Sequence, residues 1–155
     1  MAGWYNKVSN DMAHIPDAMD YFETELGDAR LHDLQLRGKP LERISAELPG
    51  VVELRYNQLQ EIEAILEFLN IELRKKRSEK FRHFIEHYQR ALSSRDAEKY
   101  IDGDPDVVDL SMIVNQFAML RNQWLGFHKA LDSKNFQLNN IVKLRVAGMD
   151  DATII

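Results

Sequence analysis

The residues best equipped for chemistry lie between positions 74 and 106. His83-Phe84-Ile85-Glu86-His87 matches H-x-x-E-H, the pattern of inverzincin proteases. On a helix that spacing sets both imidazoles on one face, as zinc ligation requires. The surrounding helix is strongly basic, which disfavours a dication, and a thin helical chain leaves little room for a substrate cleft. The two histidines therefore read as polar surface residues. Asp102, Asp104 and Asp106 resemble the start of a calcium loop, but the sixth and twelfth positions, where Gly and Glu are needed, hold Val107 and Ile113. Those acids read instead as helix-capping residues. His14, His32 and His128 have no partner at ligand spacing. There is no Cys, which excludes disulfides, Cys-zinc sites, iron–sulfur clusters and thiol catalysis. No Gly-rich phosphate loop, nucleophile elbow or catalytic carboxylate pair is present. The expectation is a protein that is not an enzyme and holds neither metal nor cofactor.

The second candidate chemistry is phosphate binding. Residues 74–90 carry Arg74, Lys75, Lys76, Arg77, Lys80, Arg82 and Arg90 against only Glu79 and Glu86, a local charge of +5. Residues 133–148 add Lys134, Lys143 and Arg145 with no acid. Around the turns of one helix, Arg74, Arg77 and Lys80 or Arg82 can share a flank, offering charges in register to a nucleic-acid backbone. Phe81, Phe84 and Tyr88 lie close enough to stack on bases if exposed. The competing reading is a solvated basic face that pairs with the acidic N-terminal helix of the same or another subunit. Residues 8–28 hold six acids and no Lys or Arg, and residues 96–109 hold six acids and one Lys. The total of −5 over 155 residues, which argues against a nucleic-acid binder, thus conceals a segregated charge.

The elements that must carry these residues are helices. Ile15, Met19, Phe22 and Leu26 form one face of a helix opening near Pro16, with Gly27 ending or weakening it. Pro40 starts a short helix through Leu41, Ile44 and Leu48, which Pro49-Gly50 then punctuates. From Val51 to Leu92 there is no Gly or Pro, enough for a helix of roughly 60 Å. Leu59, Ile62, Leu66, Leu69 and Leu73 give it a heptad seam. A short helix around Tyr100 follows, and Asp104 and Pro105 cap and open the next one.

That helix has the most regular pattern in the chain: Leu110, Ile113, Phe117, Leu120, Trp124, Phe127 and Leu131 alternate steps of three and four. Asp132-Ser133 breaks it, and a last helix runs through Phe136, Ile141 and Leu144 to Gly148. Residues 150–155 read as a frayed tail. No segment alternates with period two. The fold class is all-α, a long helical hairpin or bundle with heptad seams. An acidic N-terminal arm spans residues 1–49 and a helical core residues 50–155. Two such seams offer more apolar stripe than a small chain needs, which points to a homo-oligomer held by Leu110–Leu131, Phe136 and Ile141. The alternative is a monomeric bundle with the same seams inside. No stretch has the apolar length of a membrane span, and the N-terminus lacks the pattern of a signal peptide.

The order of elements resembles a known family. A long helix rises from Pro49-Gly50-Val51-Val52-Glu53-Leu54-Arg55-Tyr56 into a basic, aromatic stretch ending His87-Tyr88. Glu98-Lys99-Tyr100-Ile101-Asp102, a heptad helix, and Leu131-Asp132-Ser133-Lys134-Asn135-Phe136 through Ile141 follow. Over roughly residues 49–147 this is similar to the UvsY-like recombination mediators of tailed phages. The resemblance implies a ring-like homo-oligomer in the host cytoplasm. It also implies binding of single-stranded DNA, and contact with a RecA-like recombinase and with the single-stranded DNA-binding protein that the recombinase replaces. The family's paired basic residues match Lys80 and Arg82 best. The sequence departs from the family at His87-Tyr88-Gln89, where two aromatics followed by Ser-Gly are the pattern.

Overall fold

Side-chain caps and prolines set where the helices begin. The computed structural model describes residues 3–88 and 91–150, and among these every regular element is helical. Asp11 accepts from the Ala13 N–H at 2.9 Å and opens a 3-10 turn, Met12–His14, between α1 (Trp4–Asn10) and α2 (Ile15–His32). The Pro40 carbonyl accepts from the Ile44 N–H at 3.1 Å at the start of α3 (Leu41–His87). Ser93 and Asp96 form a reciprocal cap at the start of α4 (Ser94–Asp102). There Ser93 Oγ accepts from the Asp96 N–H at 3.2 Å and donates to Asp96 Oδ2 at 2.7 Å. Asp104 accepts from the Asp106 N–H at 3.0 Å, with Pro105 as the first residue of α5 (Pro105–Val146). At the far end Gly148 takes a φ of 69°, and the Met149 N–H reaches back to the Leu144 carbonyl at 2.9 Å. This is the left-handed closure that glycine adopts without strain.

Three expected interruptions do not occur. Gly27 lies inside α2, which continues to His32, because the helical gain from Ala29 and Leu26, both buried, exceeds the cost of about 1 kcal/mol for a helical glycine. Pro49 lies inside α3, so the expected division at 49/50 falls within one helix. Pro49 and Ser45 are both exposed, so the Ser45 carbonyl that loses its partner is open to water. Asp132-Ser133 lies inside α5, and the separate last helix is absent. Leu131, Lys134 and Leu138 are all buried on one face, and that burial overrides the weak helix propensity of Asp and Ser. In the other direction, the long helix ends at His87 rather than Leu92.

The chain forms two compact units, interleaved in sequence. The first contains residues 3–19 and 60–121. Its core is Val8, Ile15, Ala18, Ile62, Ile65, Leu66, Leu69, Ala97, Ile101, Val107, Leu110, Phe117 and Leu120. The N-terminal α1 is fastened to it where the Tyr5 N–H donates to Glu61 Oε1 at 3.0 Å.

The second unit contains residues 20–59 and 122–150, with Phe22, Leu26, Ala29, Ile44, Leu59, Trp124, Phe127, Leu131 and Leu138 in its core. Phe22 meets Trp124 edge to face with ring centroids 6.5 Å apart. Here α2 and α3 run antiparallel, since Arg55 reaches Asp33 and Gln58 reaches Tyr21. Arg55 is only 6% exposed. Its guanidinium donates to Asp33 Oδ2 at 2.7 Å, to Glu25 Oε2 at 2.8 Å and to Gln58 Oε1 at 3.0 Å. Burial pulls its pKa down, but the hydrogen bonds to Asp33 and Glu25 together hold it above the ordinary value. Apolar residues 8, 15, 18, 22, 26 and 29 of the expected N-terminal arm are therefore core, and acids of α2 serve Arg55.

Candidate nucleic-acid interface

The last third of α3 is helical for local reasons: Glu, Leu, Arg and Lys are strong helix formers, and acids stand three or four residues from bases. Lys75 pairs with Glu72 at 2.8 Å, Lys76 with Glu79 at 3.5 Å and Arg82 with Glu86 at 3.6 Å. Arg74 reaches back to Glu67 at 3.1 Å. Two more pairs leave the helix. Arg77 Nη1 donates to Asp102 Oδ1 at 2.8 Å. Lys80 Nζ sits 2.9 Å from Asp106 and 3.4 Å from Asp104.

Every described cation of the basic stretch thus has a carboxylate partner in the same chain, and none of the partners belongs to the N-terminal helix. Arg90 lies outside the described residues. Between positions 67 and 106 there are nine basic and nine acidic residues, so the +5 of the narrower window is fully matched. Of the expected common flank of Arg74, Arg77 and Lys80 or Arg82, the Arg77 and Lys80 members share a direction and Arg74 reaches back to Glu67. Arg77 and Lys80 point to the 102–106 loop, whereas Arg82 turns to Glu86.

The pairs differ in strength. The side chains of Arg74, Lys75 and Arg82 are 69%, 69% and 79% exposed, and such pairs contribute about 0–1 kcal/mol. They exchange readily for another anion. Lys80 is far less exposed and answers two carboxylates. The Asp106 hydrogen bond raises its pKa, and the same bond holds Asp106 below the ordinary carboxylate value.

An aromatic cluster adjoins this stretch. Tyr100 of α4 lies 5.8 Å from Phe84 and 5.7 Å from Tyr88, with the rings inclined by 32° and 36°. Tyr88 and Tyr100 are 46% and 48% exposed. Hydrogen bonding to Tyr100 raises the Tyr88 phenol above its ordinary pKa. Tyr88 lies just past the end of α3 and Tyr100 twelve residues on in α4, so helical periodicity gives no sign of the partnership. Phe81 takes no part in the ring contacts of this cluster.

His83 and His87 do stand together, with ring centroids 5.1 Å apart, but no group of three metal-ligating side chains exists among the described residues. Asp102, Asp104 and Asp106 are engaged by Arg77 and Lys80.

The C-terminal candidates separate. Lys134 is buried in the second unit and donates to the Asp33 backbone carbonyl. Burial, helped by Lys39, lowers its pKa. It is not a surface cation, which corrects its assignment to DNA. Lys143 and Arg145 are exposed and have no ion pair among the described residues. The seam is likewise taken up internally. Leu110, Phe117, Leu120, Trp124, Phe127 and Leu131 are at most 8% exposed within the chain, and Ile113 is half-buried. The six buried residues are core within the chain, which corrects their assignment to oligomerisation. Of the proposed oligomerisation residues, Phe136 is exposed at 68% and Ile141 is half-buried.

Comparison of the chain with family models, with curated proteins and with solved structures finds no match. No described helix is long and apolar enough to cross a membrane.

Proposed function

We propose that the protein is a non-enzymatic accessory of homologous recombination. It binds single-stranded DNA without sequence preference and helps a RecA-like recombinase displace the single-stranded DNA-binding protein. The observation that carries the DNA-binding part is the half-exposed pair Tyr88 and Tyr100 beside Phe84, at the end of a helix whose last turns also carry the exposed cations Arg74, Lys75 and Arg82. Aromatic faces accept any base at about 1–3 kcal/mol each, and neighbouring cations track the backbone. The role in loading a recombinase rests on the family-like order of elements. Self-association through exposed apolar residues such as Phe136 would repeat the patch and raise its effective affinity.

The test is fluorescence anisotropy of a labelled oligothymidylate at two salt concentrations. Wild type binds, and more weakly at high salt. Tyr88→Ala/Tyr100→Ala loses at least about tenfold, the equivalent of one stacked base. Arg74→Ala/Lys75→Ala/Arg82→Ala binds more weakly with a shallower salt slope. A second reading, a helical adaptor that binds only protein, is favoured by the exact charge balance of residues 67–106. Absence of wild-type binding at low salt, together with its absence in the loop variant described below, selects the adaptor.

A further inference from the structure

The three aspartates of the segment Asp102–Asp106 are held against the basic stretch from both sides. Ile101 and Val107, each 2% exposed, anchor the segment in the core of its unit. Asp104 also caps α5, so the loop's backbone is fixed by hydrogen bonds as well as by burial. From this position Asp102 takes Arg77, and Asp104 and Asp106 take Lys80. A carboxylate presents to a guanidinium or an ammonium the same kind of paired oxygens that a phosphate presents. Asp102 stands two residues beyond Tyr100. Phe84, which meets Tyr100, and Arg77, which meets Asp102, stand seven residues or about 10 Å apart on α3, so a strand stacked on Tyr100 and continuing along α3 would bring a phosphate to the ground that these carboxylates occupy.

We propose that the 102–106 loop is a built-in phosphate mimic that competes with a single strand for Arg77 and Lys80. It leaves Tyr88 and Tyr100 exposed but withholds Arg77 and Lys80, so that a strand must exchange with the loop to bind fully. The inference rests on the single-strand reading above and adds to it a self-blocked resting state. The strengthened hold of Lys80 on Asp106 accords with it, since both members of the pair are shifted toward their charged forms.

The experiment compares oligothymidylate binding by wild type, by Asp102→Asn/Asp106→Asn and by Glu98→Gln/Asp109→Asn. Asp104 is left in place because it caps α5. Glu98 and Asp109 lie on the same two helices and have no ion pair among the described residues, so the second variant makes the same change in net charge without freeing a cation.

Expected are an affinity gain of about tenfold for Asp102→Asn/Asp106→Asn and a salt slope steeper by about 1.4, for two added phosphate contacts on a single strand. The Glu98→Gln/Asp109→Asn slope should be unchanged. Binding by Asp102→Asn/Asp106→Asn when wild type binds weakly or not at all supports the mimic most directly. Wild-type binding that neither variant alters, or an equal gain and equal slope in both variants, overturns the mimic while leaving the single-strand reading standing. No binding by any of the three proteins overturns both.

Discussion

Arg55 offers the most demanding test of how the second unit is held together. Its side chain is 7% exposed and ties α3 to Glu25 of α2 and to Asp33 just beyond it, whose side chains are 33% and 16% exposed. Truncation by Arg55→Ala removes three side-chain hydrogen bonds, two of them between charged groups, and leaves Asp33 partly buried without its cation. Hydrogen bonds to charged groups contribute about 1.5–3 kcal/mol each. The Glu25 bond is discounted because a third of that side chain meets water, and Asp28, more exposed and 3.5 Å away, adds little. The sum falls near the 3–5 kcal/mol typical of a broken buried pair. For a domain of ordinary stability, about 5–15 kcal/mol, that is a large fraction.

Urea unfolding followed by circular dichroism at an unchanged m-value measures it. If orphaned carboxylates cause the loss, Arg55→Met/Glu25→Gln/Asp33→Asn is less destabilised than Arg55→Met alone. A loss below about 1 kcal/mol for Arg55→Ala, or equal losses for the single and triple variants, refutes the reasoning.

Two further outcomes follow from local geometry. Gly27 and Gly126 are interior to α2 and α5, and a Cβ at either meets nothing within 4 Å, so Gly27→Ala and Gly126→Ala each stabilise by about 1 kcal/mol. A melting temperature that stays level or falls contradicts this. The Lys80–Asp106 pair makes a pH prediction. Asp106 has a depressed pKa when folded, so its contribution is present above the unfolded value and disappears as pH falls through the folded one. Lys80 has a raised pKa, so its contribution is present below its unfolded value and is lost only as pH rises through the folded one. Carbon-detected NMR titration should find Asp106 ionising below the ordinary range, and Lys80→Met should return it there. An Asp106 titration that Lys80→Met leaves unmoved would show that Lys80 does not hold it.

Much of the secondary structure was legible in the residues themselves. Asp104 with Pro105 marks the start of α5, and the heptad Leu110–Leu131 marks its buried face. These signals are local: a cap or a repeat acts within a turn or two. Pro49, Gly27 and Asp132-Ser133 were misleading for the same reason. Gly27 and Asp132-Ser133 each weaken a helix by about 1 kcal/mol and are overridden by apolar burial on the same helix face, whereas Pro49, the costlier at about 3 kcal/mol, sits where the helix is exposed.

The charge pattern divides in the same way. That basic residues cluster at 74–82 is a property of the sequence alone. Whether they are available to a phosphate depends on Arg77 meeting Asp102 and Lys80 meeting Asp106, partners about 25 residues away that only folding brings within 3 Å. Lys134 shows the same thing inside the core, where burial and the Asp33 carbonyl make a nominal surface cation into a structural one. Composition and spacing determined that this chain is helical and that its charges are segregated. Tertiary packing decided which of those charges meet water, because pairing and desolvation depend on distances in space that no sequence separation encodes.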